Sequence, residues 1–289
     1  MKSFLRFSPL LVSRRAFQTS LNNLEHLRVE KKENSVWVTI NRPSVKNAFN
    51  EQVISELSQT FRILGSEANE TSEFRAIVLT GEGDAFSAGA DLAWMRRMSE
   101  YSFDENRKDA EQLFDMFDAI KRNPFPVIGR VNGAALGGGA GLVSACDFSL
   151  AVSSAKIGFT EVKLGLIPAV ISSFVLDKIS NGSASRYFLT GEIFDGNEAE
   201  RIGLVQHTYA DVTQLDAALA KVLSQLDTCG PYAVRSAKTL ISQVSSKKDL
   251  ADIKKYTTEQ IATIRATPEG REGIQSFLDK KKPAWNNKK

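Results

Sequence analysis

The segment NGAALGGGAG, residues 132–141, lies between two apolar runs of different character. Residues 127–131 form a short, mostly apolar run that is typical of a buried strand, and residues 142–145 are typical of a helix. Glycines at the start of a helix let a ligand approach the backbone N–H groups closely, and the helix dipole adds partial positive charge there. The segment therefore predicts a strand, a ligand-binding turn and a helix.

Two other interpretations of these glycines remain open. Gly137, Gly139 and Gly141 partly mimic a dinucleotide-binding loop, but their spacing is not G-x-G-x-x-G and no acidic residue ends a neighbouring strand at the required place. The glycines could also serve only to let the helix pack closely against its neighbours. The choice depends on the rest of the chain.

Outward from this segment, strand and helix patterns alternate up to about residue 210. Two β-rich runs, residues 26–30 and 36–40, flank a turn and predict a hairpin. Asn50 is a candidate N-cap for a helix over residues 53–64. Further strands are predicted at 76–80 and 148–152, and further helices near 110–120, 172–179, 184–189 and 197–201.

Beyond residue 211 the strand signals vanish, and helices are predicted at 249–264 and 268–277. We expect an α/β catalytic core over residues 25–210 and a helical C-terminal region over residues 211–289. No low-complexity linker separates them, so the helical region is expected to pack on the core or on a neighbouring subunit.

Composition excludes several classes of protein. The chain has 289 residues, 42% apolar and 25% charged, which suits a globular fold with a large core. No apolar run approaches the roughly 20 residues that a membrane-spanning helix needs. Two cysteines and two histidines cannot supply a disulfide framework or a four-ligand zinc site, so no metal is expected.

Residues 1–24 have the character of a mitochondrial presequence. They carry four basic residues and no acidic one, and RAFQTS at 15–20 resembles the R-x-F-x-x-S pattern of two-step matrix processing, with a final cut near Leu24. A secretory signal is the alternative, but its apolar run would cover only residues 10–12. The presequence predicts a mitochondrial matrix protein. Its removal takes four positive charges from a net charge of +3 and leaves −1, so we expect no nucleic-acid-binding surface.

Two further loops, residues 85–92 and 159–168, concentrate polar residues and glycines that packing alone does not need. Together with the central segment they resemble the enoyl-CoA hydratase/isomerase, or crotonase, superfamily over residues 25–285. The motifs that carry the resemblance are Asn41-Arg42-Pro43 with Asn47-Ala48, Ala88-Gly89-Ala90-Asp91-Leu92, Val131-Asn132-Gly133 with Gly137-Gly138-Gly139, Cys146-Asp147 and Thr190-Gly191.

The resemblance implies a spiral of ββα units with a helical C-terminal region used in trimerisation, and a homotrimer or homohexamer. It also implies an acyl-CoA thioester substrate and no separate cofactor, because CoA is part of the substrate. The backbone N–H groups of Ala90 and Gly138 would form an oxyanion hole for the thioester oxygen. Such a donor stabilises the developing enolate by roughly 3 to 4 kcal/mol.

The resemblance further implies where CoA binds. Asn47 and Ala48 and the loop Ala90, Asp91, Leu92 and Ala93 would contact CoA, together with Gly138 and Gly141 nearer the acyl group. Lys46, Lys281 and Lys282 are candidates for its phosphates. Asp91 is expected to cap the following helix rather than to take a proton.

The expected acid–base residues depart from the family pattern. Hydratases of the family commonly use two glutamates, but the first position is Gly141 and only the second remains, as Glu161. One carboxylate in an apolar pocket can move a proton, since desolvation raises its pKa. Hydration of a 2-enoyl-CoA, double-bond isomerisation and a related enolate reaction all remain open.

Finer resemblance favours the methylglutaconyl-CoA hydratases of leucine breakdown. It lies in residues 89–98, 139–143 and 160–172. That subgroup acts on branched acyl-CoA with a distal carboxylate. We therefore expect Gly141 to leave volume near the acyl carbons and Arg96 or Arg97 to meet the carboxylate.

Two functions of other classes are the alternatives to an enzyme. Some methylglutaconyl-CoA hydratases are described as binding AU-rich RNA, but residues 51–73 carry five glutamates against only Arg62 and would repel phosphate. A catalytically silent scaffold is the other hypothesis, motivated by Gly141. We expect an enzyme that binds no nucleic acid.

Overall fold

The computed structural model describes residues 24–68 and 73–286 as an α/β fold. The strands are β1 (Leu27–Lys32), β2 (Ser35–Ile40), β3 (Ala76–Gly81), β4 (Ala85–Ser87), β5 (Val127–Val131), β6 (Ala134–Leu136), β7 (Phe148–Val152), β8 (Ile157–Gly158), β9 (Ile193–Phe194) and β10 (His207–Tyr209). The helices are α1 (Glu51–Ser66), α2 (Leu92–Met98), α3 (Phe103–Lys121), α4 (Gly138–Ala145), α5 (Ala169–Leu176), α6 (Asn181–Thr190), α7 (Gly196–Arg201), α8 (Val212–Asp227), α9 (Pro231–Ser246), α10 (Leu250–Ala266) and α11 (Pro268–Leu278). The predicted α/β class is confirmed.

The larger sheet has the order β1-β2-β3-β5-β7-β10. β1 and β2 form the predicted antiparallel hairpin, in which Lys32 lies opposite Ser35, and the remaining pairs are parallel. Every residue of β3 is buried, because a parallel sheet is covered on both faces. The strands predicted at 76–80, 127–131 and 148–152 are confirmed.

A second, smaller sheet has the order β4-β6-β8-β9. β4, β6 and β8 are parallel, and β9 is antiparallel to β8. These strands have only two or three residues each, and so short a run shows no periodicity. Sequence analysis therefore places β4 and β6 within loops and predicts no strand at β8 or β9. The small sheet brings the three segments singled out by sequence side by side.

The helices pack on these sheets through apolar faces that begin at defined caps. The Asn50 side chain accepts a hydrogen bond from the N–H of Val53, so the predicted cap of α1 is confirmed. Leu57 and Leu64 on the same face are fully buried. The helix predicted over residues 142–145 is confirmed as part of α4, which begins earlier, at Gly138 within the glycine run.

The C-terminal helices bury much less of their surface. α8 contributes Leu215 and Leu219 to the core, but α9, α10 and α11 contain no buried residue. Lys238 on α9 attaches to the core through Asp147, with 2.7 Å between Nζ and Oδ2. The domain boundary at 210 and the trimer stay predictions.

Other predictions concern the rest of the described chain or lie outside it. In residues 24–68 and 73–286, no helix is long and apolar enough to cross a membrane. The same residues contain no group of three or more side chains suited to hold a metal ion. The predicted presequence lies, except for Leu24, outside the described residues.

Candidate active site

The small sheet places Ala90 beside Gly138. β4 and β6 are parallel neighbours, and the backbone after β4 turns at Gly89, where φ is 86°. A Cβ on Gly89 would lie 2.5 Å from the carbonyl oxygen of Leu136 and 3.5 Å from the nitrogen of Gly138. Both the positive φ and this close approach require glycine at position 89, next to Ala90.

The N–H groups of Ala90 and Gly138 have no acceptor among the described residues. Gly138 is the first residue of α4, and an N–H at that position has no partner within its helix. On either side of Ala90 the backbone is bonded instead: the Gly89 carbonyl accepts from Phe49 N–H at 2.8 Å, and Asp91 N–H donates to the Phe49 carbonyl at 3.0 Å. Two open donors, one at a helix N-terminus, suit an oxyanion.

Glu161 lies next to these donors. It follows β8 as the first residue of a short 3₁₀ turn, Glu161–Leu164. Its Oε1 lies 3.3 Å from the position that a Cβ on Gly137 would take, one residue before Gly138. The structure therefore brings Ala90, Gly138 and Glu161 together at the ends of three adjacent strands.

Glu161 is half-buried, and one of its two carboxylate oxygens is shielded from solvent. Among the described residues its Oε2 has no hydrogen-bond partner. Burial raises the pKa of Glu161, against the opposing effect of its own backbone N–H. Leaving a buried polar atom unpaired costs about 1 to 3 kcal/mol, and a catalytic role is one of the reasons for which native folds retain such an atom. A carboxylate in this state can accept and return a proton.

At Gly141 the structure corrects the sequence analysis. A Cβ at this position would lie 2.4 Å from Cγ2 of Ile171 on α5 and 3.0 Å from Cζ of Phe117 on α3. The expectation that Gly141 leaves open volume near the acyl carbons is therefore wrong, because side chains from two helices fill that space to the density of a protein core. A contact between Gly141 and the substrate stays a prediction.

Asp91 has the capping role expected from sequence. Its Oδ1 accepts from the N–H groups of Ala93 at 2.8 Å and Trp94 at 3.3 Å, and its Oδ2 lies 3.0 Å from the guanidinium of Arg42. Although burial opposes them, these backbone donors and Arg42 hold the pKa of Asp91 below its ordinary value. Asp91 therefore stays ionised and fixes the start of α2.

The residues predicted to bind CoA have different environments. The buried Asn47 amide donates to the carbonyls of Glu82 and Ala85, both at 2.8 Å, and the Ala48 carbonyl accepts from Arg42, so these groups hold the loop itself. Leu92, by contrast, is 82% exposed. The contacts of Asn47, Ala48, Leu92 and Ala93 with CoA stay predictions.

Most of the charged candidates are already engaged. The Arg97 guanidinium donates to both carboxylate oxygens of Glu51, at 2.7 and 2.9 Å. Lys46 pairs with Asp84 at 2.7 Å, and Lys281 lies 4.0 Å from Asp279. Arg96 is exposed on α2, and its contact with a substrate carboxylate stays a prediction.

Sequence reasoning did not single out the residues that pack against the site. Phe49 directly follows the quoted Asn47-Ala48 motif, so its position was a usable signal. Ile171 lies within a segment used for the finer resemblance, but nothing in its spacing relates it to Gly141, thirty residues earlier. Phe117 lies within the helix predicted near residues 110–120, and nothing in that pattern relates it to Gly141.

Two open N–H groups beside a partly desolvated carboxylate define the class of site: an enzyme that stabilises charge on an acyl oxygen and moves a proton next to it. The family model described as enoyl-CoA hydratase/isomerase matches residues 30–288. The chain belongs to the enoyl-CoA hydratase/isomerase family, and the crotonase resemblance inferred from sequence is confirmed.

Individual relatives agree with this assignment. A crotonyl-CoA hydratase from Syntrophomonas wolfei is 30% identical over 266 residues, covering 91% of this chain and 99% of the relative. A probable mitochondrial enoyl-CoA hydratase from Dictyostelium discoideum is 30% identical over 260 residues, covering 90% of each chain. The crystal structure of an enoyl-CoA hydratase from Shewanella pealeana has a TM-score of 0.87 and 33% identity, covering 93% of this chain and 99% of the other.

Proposed function

We propose that this enoyl-CoA hydratase/isomerase adds water to a 2-enoyl-CoA whose acyl group carries a distal carboxylate, of the 3-methylglutaconyl-CoA type. The product would be 3-hydroxy-3-methylglutaryl-CoA, as in leucine degradation. The observation that carries the reaction is the buried, unpaired oxygen of Glu161 beside the open N–H groups of Ala90 and Gly138. The acyl group is inferred from the finer sequence resemblance.

The proposed mechanism uses two donors and one carboxylate. The thioester oxygen accepts hydrogen bonds from Ala90 and Gly138, which withdraws electrons from the conjugated double bond. Glu161 takes a proton from water as the water oxygen bonds to C3, and the electron pair of the double bond moves to form the enolate. The protonated Glu161 then returns that proton to C2, so that water is added across one face.

The filled space at Gly141 supports a substrate with its own polar group. Ile171 and Phe117 occupy the place of a second carboxylate, so on the protein side the water is expected to be held by Glu161. A carboxylate on the acyl chain can supply a further hydrogen-bond acceptor for that water. Arg96, exposed on α2, is the proposed partner of the same carboxylate.

Double-bond isomerisation is the second candidate, favoured by the same apolar contacts. Glu161 could remove a proton from C2 of a 3-enoyl-CoA and return it to C4, with the enolate held by the same donors. This reaction needs no water, and the apolar side chains of Ile171 and Phe117 packed against Gly141 favour a site from which water is excluded.

A mass-spectrometric panel of enoyl-CoA thioesters tests these proposals on the purified mature protein. Hydration adds one water to 3-methylglutaconyl-CoA, whereas isomerisation of a 3-enoyl-CoA leaves the mass unchanged and alters the chromatographic retention. Efficient hydration of crotonyl-CoA without turnover of 3-methylglutaconyl-CoA would eliminate the substrate proposal. Activity that is the same in Glu161→Gln on every thioester would eliminate the proposed base.

The same panel separates the proposals of other classes. A silent scaffold would turn over none of the thioesters. Salt-sensitive retention of an AU-rich oligonucleotide would support RNA binding, which we do not propose because the segment 51–73 is acidic.

We also propose a mitochondrial matrix location and a homotrimer or homohexamer. The basic residues 1–24 and the mitochondrial relative support the location. The unburied helices α9–α11 support assembly. Import into isolated mitochondria with mass analysis of the new N-terminus tests the first, and sedimentation equilibrium tests the second.

A further inference from the structure

We propose that Phe49 is a positioning residue that sets the distance between the two N–H donors, an inference that rests on the proposed oxyanion role of Ala90 and Gly138. Its backbone contacts one donor segment. Phe49 N–H donates to the Gly89 carbonyl at 2.8 Å, and the Phe49 carbonyl accepts from Asp91 N–H at 3.0 Å. These two bonds flank Ala90 and fix the direction of its N–H.

The side chain of Phe49 contacts the other donor segment. A Cβ on Gly138 would lie 2.3 Å from Cζ of the Phe49 ring, and 3.2 and 3.3 Å from the two adjacent ring carbons. The tip of the ring therefore points at Gly138 and occupies the place of a side chain there. Phe49 therefore contacts both donor segments: its backbone bonds to the segment around Ala90, and its ring packs against Gly138.

The Phe49 ring is buried and packs against Trp94. Phe49 is only 1% exposed, and its ring centroid lies 6.1 Å from that of Trp94 on α2. Trp94 is 2% exposed, and its Nε1 donates to Asp109 on α3 at 3.3 Å. Because dense packing leaves the ring little room to retreat, its contact with Gly138 can act as a fixed spacer.

Such a spacer matters because the donors belong to different elements. Ala90 lies just after β4, whereas Gly138 begins α4 after β6. Both N–H groups must meet one oxygen at the same time, and a misplacement of about 1 Å can reduce the rate about 100-fold. A donor pair that is slightly too far apart would still bind CoA but would stabilise the enolate less.

The first test replaces Phe49 with leucine, which keeps the backbone bonds and much of the bulk but removes the ring tip. Phe61→Leu is the matched control, since Phe61 is also 1% exposed and lies on α1. The readout is the absorption band of bound cinnamoyl-CoA, which moves to longer wavelength when the thioester carbonyl is polarised. We expect wild type and Phe61→Leu to give the full shift and Phe49→Leu to lose much of it.

Kinetics give a second readout on the same variants. We expect kcat of Phe49→Leu to fall about 10- to 100-fold while KM changes much less, because the donors act mainly on the transition state. Phe61→Leu is expected to stay within about twofold of wild type. Equal losses in Phe49→Leu and Phe61→Leu would overturn the inference, since they would reflect only a disturbed core.

A rescue experiment isolates the contact between Phe49 and Gly138. Gly138→Ala alone drives a methyl group into the ring and should reduce kcat about 100-fold or more. Adding Phe49→Leu removes the colliding atom, so the double variant is expected to regain about 10-fold of that activity. If the loss in kcat of the double variant equals the product of the losses in the two single variants, the ring of Phe49 is not the spacer. Should Phe49→Leu not fold, Phe49→Met replaces it in every arm.

The outcomes separate this inference from the proposed function. An unshifted band with bound cinnamoyl-CoA in wild type would remove the oxyanion hole itself. A full shift that persists in Phe49→Leu, with unchanged kcat, would remove only the role of Phe49.

Discussion

The two halves of the candidate site are built in opposite ways. The donor half, around Ala90 and Gly138, is fixed by strand pairing, by Gly89 and by the buried ring of Phe49. The acid half consists of Glu161 at the start of a 3₁₀ turn, with one carboxylate oxygen unpaired. Hydrogen-bond donors that stabilise a developing negative charge must be held rigidly in place before the reaction. A carboxylate that gains and loses a proton must instead keep an oxygen free of fixed hydrogen bonds.

The largest effect should come from the acid half. Glu161→Gln keeps the size of the side chain but cannot exchange a proton, so kcat should fall about 10²- to 10⁴-fold. Stopped-flow or steady-state assays with the best thioester of the panel measure this. CoA affinity, measured by calorimetry, is expected to change little. A fall in kcat of less than threefold would contradict the proposed difference between the two halves.

The donor half should be nearly as sensitive to a single methyl group. Gly89→Ala places a Cβ 2.5 Å from the Leu136 carbonyl oxygen at a positive φ, so the turn must move and misalign Ala90. We expect kcat to fall about 10²- to 10³-fold. Gly182→Ala on α6, where the nearest atom is 3.9 Å from the new Cβ, is the matched control and should keep full activity.

A third change tests whether the missing second carboxylate can be restored. Gly141→Glu must displace Ile171 and Phe117, and overpacking of this kind costs about 1 to 3 kcal/mol. We expect a lower midpoint of urea unfolding and no gain in hydration of crotonyl-CoA. Adding Ile171→Ala should recover part of the stability. A fully stable and more active single variant would show that the space is not closed.

A smaller effect is expected at the cap beside the donors. Asp91→Asn can still cap α2 but loses the ion pair with Arg42, which should lower the free energy of unfolding by about 1 kcal/mol. Because the variant keeps the cap, kcat should stay within about threefold of wild type. Asp84→Asn, in the exposed pair with Lys46, is the control and should leave the unfolding midpoint unchanged. A large loss of kcat would assign Asp91 to the chemistry instead.

The smallest expected change concerns stability and pH. Burial raises the folded-state pKa of Glu161 above 4.5, so the folded state holds the proton more tightly than the unfolded state does. The loss in the free energy of unfolding that comes from ionising Glu161 is absent well below pH 4.5. It grows as the pH rises from the unfolded-state pKa through the folded-state pKa, and it is complete above the folded-state pKa. Glu161→Gln should therefore have a higher Tm than wild type at neutral pH, with no difference in acid. Calorimetry across that range checks the sign.

Prediction from sequence succeeded where the signal was local. The hairpin of β1 and β2, the buried β3 and the Asn50 cap all follow from patterns within a few residues. The small sheet was missed because strands of two or three residues have no periodicity. The filled space at Gly141 was missed because it depends on a contact with Ile171, which no local pattern predicts.

The small sheet also limits how the chain length can vary. Its parallel strands β4, β6 and β8 each end within a few residues of one site group, and one residue of strand advances the chain by about 3.3 Å. An insertion between β4 and Ala90 would therefore carry that N–H out of hydrogen-bonding reach. The exposed residues 163–167 after Glu161 bear no such restriction. Insertions and deletions are expected to be tolerated there, because exposed loop backbone can lengthen without moving the site.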